Sequence, residues 1–174
     1  VDAYFYENTE AVALCSNSHL TTSGASNATG FDNLVTTAFS ATALASIRIQ
    51  MVQMRGDQAE RIAIAPDEIL GPPELYEAVF EVISSMGKVD TAQNNRNVHE
   101  GRYTFYEWNY LTDTNNFFVM DSALRKQYLK WADRIAVEFA FVEDFDKIEA
   151  KWRGYSRYAN GHLDWRWITG GQVA

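Results

Sequence analysis

The chain has 174 residues, enough for one domain, or one domain with a lobe, around a substantial core. Hydrophobic residues make up 47% and aromatic residues 14%, which excludes a disordered polymer. Its 23 acidic and 15 basic residues give a formal charge of −8, and no run of Lys and Arg interrupts that balance, which argues against a surface that grips nucleic acid through its phosphates.

A lone cysteine, Cys15, excludes an internal disulfide and fits a reducing compartment. No apolar run approaches the ~20 residues of a membrane-spanning helix. The opening VDAYFYENTE lacks the basic and apolar regions of a signal peptide.

Val1 to Leu14 reads as strand material, with Tyr4 and Tyr6 separated from Ala11–Leu14 by the polar Glu7–Glu10. Ser16 to Asn33 (SNSHLTTSGASNATGFDN) has loop composition, and a loop of that length is commonly functional or a contact arm. Phe39 to Arg55 is the clearest helix. Ser40 suits its N-cap, Leu44, Ile47, Met51 and Met54 share one stripe, and Gly56 follows its end. At about 16 residues it would span roughly 24 Å. Ala41, Ala43 and Ala45 keep its first turns slim, and Ile49 and Val52 lie off the stripe, so more than one face can be covered.

Ile62 to Met86 is the most heavily punctuated stretch and holds all three prolines. A strand-like run, Ile62–Ala65, ends at Pro66, and Gly71, Pro72 and Pro73 form a second corner. The spacing then predicts a helix over Pro73–Met86, with proline where a missing N–H costs nothing and Glu74 and Glu77 at the positive end. Leu75, Val79, Val82 or Ile83, and Met86 would form its apolar face, with Gly87 at C′.

Lys88–Gly101 is polar and reads as an exposed loop. Arg102–Tyr110 reads as an aromatic strand, Thr112–Asn116 as a turn and Phe117–Met120 as a second strand, after which Ser122 would cap a helix reaching Trp131. Ile135, Val137, Phe139 and Phe141 alternate with Ala136, Glu138 and Ala140. Ile148, Ala150 and Trp152 alternate with Lys147, Glu149, Lys151 and Arg153. Period-2 alternation predicts half-buried strands. Asn160-Gly161 carries the strongest two-residue hairpin signal, leading into alternating Leu163, Trp165 and Trp167. Gly154, Gly161, Gly170 and Gly171 are assigned to turns and the tail, and there is no internal repeat.

Three groups invite chemistry. Cys15 and His19 form a C-x3-H pair, but zinc needs three or four ligands at recognisable spacing, and His99 and His162 sit in no such pattern. Glu143, Asp144, Asp146 and Glu149 could form a cation site or a carboxylate pair, yet they lack the glycine and bidentate Glu of a calcium loop, and a solvated turn is the simpler reading. Tyr103, Phe105, Trp108, Tyr110, Trp152, Trp165 and Trp167 could stack sugars or bases, although aromatics at strand spacing are more often core or subunit interface. There is neither a G-x-S-x-G nor a phosphate-binding glycine loop. No catalytic, cofactor-binding or metal-binding residue is assigned.

Taken in order, ALCSNSH before the polar loop, FSATALASIRIQM in the helix, APDEILGPPELYEAVFEVI after it, and the later YLTDTNNFFVMD and RYANGHLDWRW resemble the major capsid (head) proteins of tailed double-stranded DNA phages and prophages. The likeness covers roughly Ala11 to Ala174. It implies an α+β fold in which a long spine helix packs on a β-sheet in a peripheral domain, beside a smaller axial α/β lobe. Residues 1–38 would be the remnant of an arm and extended loop, and 39–66 the spine helix and a strand. Residues 67–134 would form the axial domain, with Lys88–Gly101 as a tip near the capsomer axis, and 135–174 the peripheral strands. The family's N-terminal arm is not found, so the resemblance implies an N-terminally truncated or trimmed form, consistent with a start at Val1.

The same resemblance implies a non-enzymatic structural subunit without cofactors. It would self-assemble through pentamers and hexamers into an icosahedral head around double-stranded DNA, which it would not bind sequence-specifically. Scaffold, portal and maturation protease are implied partners, and localisation is in the virion, after the host cytoplasm. Lys88, Lys126, Lys130, Lys147 and Lys151 match no isopeptide motif, so no cross-link is carried over. An encapsulin-like nanocompartment shell is the alternative within the fold, and a β-rich sugar- or small-ligand-binding module the alternative outside it.

Overall fold

The computed structural model describes residues 12–19, 32–56, 60–88, 95–144, 146–147 and 149–173. Expectations for Val1–Ala11, for residues 20–31 of the Ser16–Asn33 loop and for residues 89–94 of Lys88–Gly101 fall outside them. Strand β1 (Leu34–Val35) leads into helix α1 (Ala41–Gln53). Strand β2 (Glu68–Gly71) is followed by a 3-10 turn over Pro73–Leu75 and helix α2 (Tyr76–Ser84). Strands β3 (Thr104–Glu107) and β4 (Phe117–Met120), helix α3 (Ser122–Tyr128), the long strands β5 (Leu129–Asp144) and β6 (Glu149–His162), and β7 (Ile168–Gly171) complete the order.

The body is one mixed sheet, ordered β1-β7-β4-β2-β3. β1 with β7 and β2 with β3 run parallel, while β4 is antiparallel to both β2 and β7. Helix α1 forms as its stripe requires. The Ser40 hydroxyl accepts from Ala43 N at 3.1 Å, and Leu44, Ile47, Met51 and Met54 are sealed in the core against Ile69, Phe117 and Val119. Ile49 and Val52, off the stripe, face solvent. α2 buries Val79 and Val82, and Pro73 occupies its leading turn as expected.

Several sequence expectations are corrected. The strand is not Ile62–Ala65 but Glu68–Gly71, beyond Pro66, because β2 must run parallel to β3 and antiparallel to β4 there. Ile62 and Ile64 still pack against the core without joining the ladder. α2 ends at Ser84, leaving Met86 77% exposed, and Gly87 bridges to Arg96 instead of closing the helix. The aromatic strand shortens to Thr104–Glu107. α3 is capped by Asp121, not Ser122, and gives way to strand at Leu129. Val12–Leu14 is irregular, not strand.

Asn160-Gly161 is no turn. Both residues lie inside β6, opposite Trp131 and Lys130, and the chain reverses at Asp146–Lys147 instead. Gly154 also lies within β6, Gly170 and Gly171 lie in β7 between β1 and β4 and not in a turn or tail, and Leu163–Trp167 is irregular, with Trp165 and Trp167 buried. β5 and β6 thus form a separate two-stranded ribbon. The predicted half-burial fails there: Phe139, Trp152 and most of their neighbours are exposed.

Candidate functional site

Each candidate is settled by where the fold places it. Cys15 packs its thiol so closely on β7 that a Cβ at Gly170 would meet its Sγ at 3.0 Å. Burial pushes that thiol up to about 12, against a small opposing effect from the Gly170 backbone. A nucleophile or metal ligand must be a thiolate, and the packing of this partly buried cysteine disfavours that form. His19 turns away to stack on Trp165, with ring centres 4.2 Å apart and planes 4° from parallel, and its Nε2 lies 3.2 Å from Leu14 O. His99 and His162 are buried elsewhere, and no group of three or more ligating side chains occurs among the described residues.

The acidic group falls at the ribbon tip, where Glu143, Asp146 and Glu149 are exposed. It is the solvated turn of the simpler reading. The aromatics are not gathered into a platform. Tyr103 is buried beside His99, Phe105 leans on Tyr76, Trp165 and Trp167 are core, and Trp152 meets Phe141 on the ribbon.

The buried polar groups that do converge are structural, and sequence reasoning missed them. Asn33 accepts from Ser16 N at 2.8 Å and donates to Leu14 O at 2.7 Å and Trp165 O at 3.2 Å, fastening three distant segments. Asp121 accepts from Ala123 N and Leu124 N to cap α3, and its other oxygen takes Ala65 N at 2.7 Å. Asp67 accepts from both the backbone and the hydroxyl of Ser122. Glu68, nearly sealed, receives Arg125 in a fork at 2.9 and 3.1 Å. Asn97, buried in the expected loop, donates to Val82 O and Ser85 O and so covers the end of α2. An Asx residue before an apolar segment was the one readable signal, at Asp121.

Two further features bear on function. No helix among the described residues is long and apolar enough to cross a membrane. Large apolar side chains are exposed on α1 (Ile49, Val52), on α2 (Tyr76, Phe80) and along the ribbon. Among the described residues, the converging buried polar groups hold segments of a mixed α/β body together, and large apolar side chains stand exposed on its helices and ribbon.

A family model described as phage capsid protein matches residues 3–170. The chain belongs to that phage capsid family. No curated protein matches it.

Proposed function

We propose that the protein is the major head subunit of a tailed phage or prophage and self-assembles into an icosahedral shell around double-stranded DNA. The observation that carries this reading is the family match across residues 3–170. The arrangement of α1 against a mixed sheet supports it. In this proposal α1 is the spine of the peripheral domain (39–66), residues 67–134 form the axial lobe, and 135–174 supply peripheral strands. Scaffold, portal and maturation protease are its assembly partners, and it performs no catalysis of its own.

The charge of −8 suits a wall that must hold packed DNA without condensing on it. The reading is tested by light scattering after size exclusion, with negative-stain microscopy of the same fractions. Rings, tubes or shells are expected. Tight binding of the isolated subunit to duplex DNA at physiological salt would contradict the passive-wall part of the proposal.

A further inference from the structure

Among the described residues, the β5–β6 ribbon is the one large part without a core. Its register runs from Leu129–His162 at the base to Asp144–Glu149 at the tip, with irregularities near Asp133, Ile135 and Glu138. A 14-residue strand reaches about 45 Å at ~3.3 Å per residue. Two-stranded hairpins are at best marginally stable in water, and among the described residues no further strand pairs with the outer edge of either strand here.

Its outer half is amphipathic. The pairs Phe139–Gly154, Phe141–Trp152 and Glu143–Ala150 share one face, and Ala140–Arg153 and Val142–Lys151 share the other. On the first face the Phe139 ring lies over Gly154, 3.4 Å from where a Cβ would stand, and Phe141 and Trp152 have ring centres 4.6 Å apart. That face belongs in a core, yet Phe139 is 83% and Trp152 78% exposed. Nearer the base, Trp131 stacks on Tyr158 at 4.5 Å, again largely in solvent.

We propose that this ribbon is an intersubunit clasp whose Phe139–Phe141–Trp152 face docks on the body of a second copy of this chain. The inference rests on the shell-subunit reading and adds the segment that carries the contact. Area supports it. At ~150–250 Å² per aromatic, Trp131, Phe139, Phe141, Trp152 and Tyr158 together expose on the order of 600 Å², while Tyr155, paired with Glu138, lies on the other face. That is most of the ~800 Å² each partner contributes to a stable interface.

Charge supports it too. Of the chain's 15 basic and 23 acidic residues, six of each lie on residues 129–162, so the ribbon is neutral and the rest of the chain carries the whole −8. Two bodies would repel one another, while a ribbon approaching a neighbour's body meets no net repulsion. β6 goes further, since Lys151, Arg153 and Arg157 outnumber Glu149 on it and complement an acidic surface.

The test compares the wild-type protein with a Phe139→Ser/Trp152→Ser double variant by light scattering and microscopy, with circular dichroism as the check on folding. Two lost interface aromatics should raise the concentration needed for assembly about tenfold or more while the body stays folded. In parallel, Ala150→Cys is labelled with a benzophenone maleimide in a Cys15→Ala chain, so that position 150 carries the one thiol. Irradiation should join position 150 to a peptide of another copy. A double variant that assembles like wild type overturns the clasp and leaves the shell-subunit reading standing. Cross-links confined to the same chain, or to a different protein, overturn it as well. A wild-type protein that forms no rings, tubes or shells removes both.

Discussion

Asn33 shows how much of this fold hangs on single side chains. Its amide spans segments up to 132 positions apart, and an alanine there would strand the Ser16 N–H and take one of two partners from each of the Leu14 and Trp165 carbonyls. Asn33→Ala should therefore cost about 1–3 kcal/mol, read as a fall in the urea midpoint at unchanged slope. Cys15 sets a second expectation. With its thiol held near 12 by burial, native protein at pH 8 should resist iodoacetamide, and denatured protein should react fully. His99 sets a third. Burial, with the nearby cations Arg102, Arg48 and Lys88, holds it below the ordinary 6.5, only partly offset by the Ala41 backbone. The unfolded chain thus binds a proton more readily than the native one, and stability is full above pH 6.5 and declines as pH falls below it. Thermal melts from pH 7.5 to 5 should show that decline, and His99→Gln should flatten it. None of these roles was legible, since a loop asparagine and a lone histidine look alike whether buried or solvated.

Among elements, legibility followed the range of the interactions that decide them. α1 was readable to within two residues because its cap at Ser40 and its stripe from Leu44 to Met54 are local facts. Where pairing across the sheet decides, local signals lost. Ile62–Ala65 has better strand composition than Glu68–Gly71, yet the latter meets partners on both sides. Asn160-Gly161 is a good turn overruled by a ladder that continues through it. The packing of α3 depends on Asp121, which holds two helix N–H groups and Ala65 N together. Asp121→Ala should cost about 2–3 kcal/mol, more than the ~1 of an ordinary cap, because it also detaches the segment leading into β2. Asp121→Asn should recover part of that loss in the same denaturation experiment.

For the whole molecule, class was legible from the order of motifs, and the separation of body from ribbon was not. The alternation along Phe139–Phe141 and Ala150–Trp152 correctly marks a face made for burial, but a sequence does not say whether the cover comes from its own chain. The ribbon's reversal at Asp146–Lys147 offers a direct check. Trypsin should cut the unassembled subunit first at Lys147, and assembled particles should be cut at least several-fold more slowly. Equal rates would mean that the tip stays open to solvent in the shell.

β7 is the last strand of the sheet, yet it sits inside it, between β1 and β4, so the edges made earlier wait for residues 168–171 before they can close. A chain still on the ribosome therefore has α1 and the inner strands without the seam that joins them, and closing so long a loop is slow. Nascent chains crowded on one messenger would then remain unable to join a particle until residues 168–171 have emerged and paired. Growth would draw only on subunits whose sheet is closed, and open ones would not be trapped within the wall.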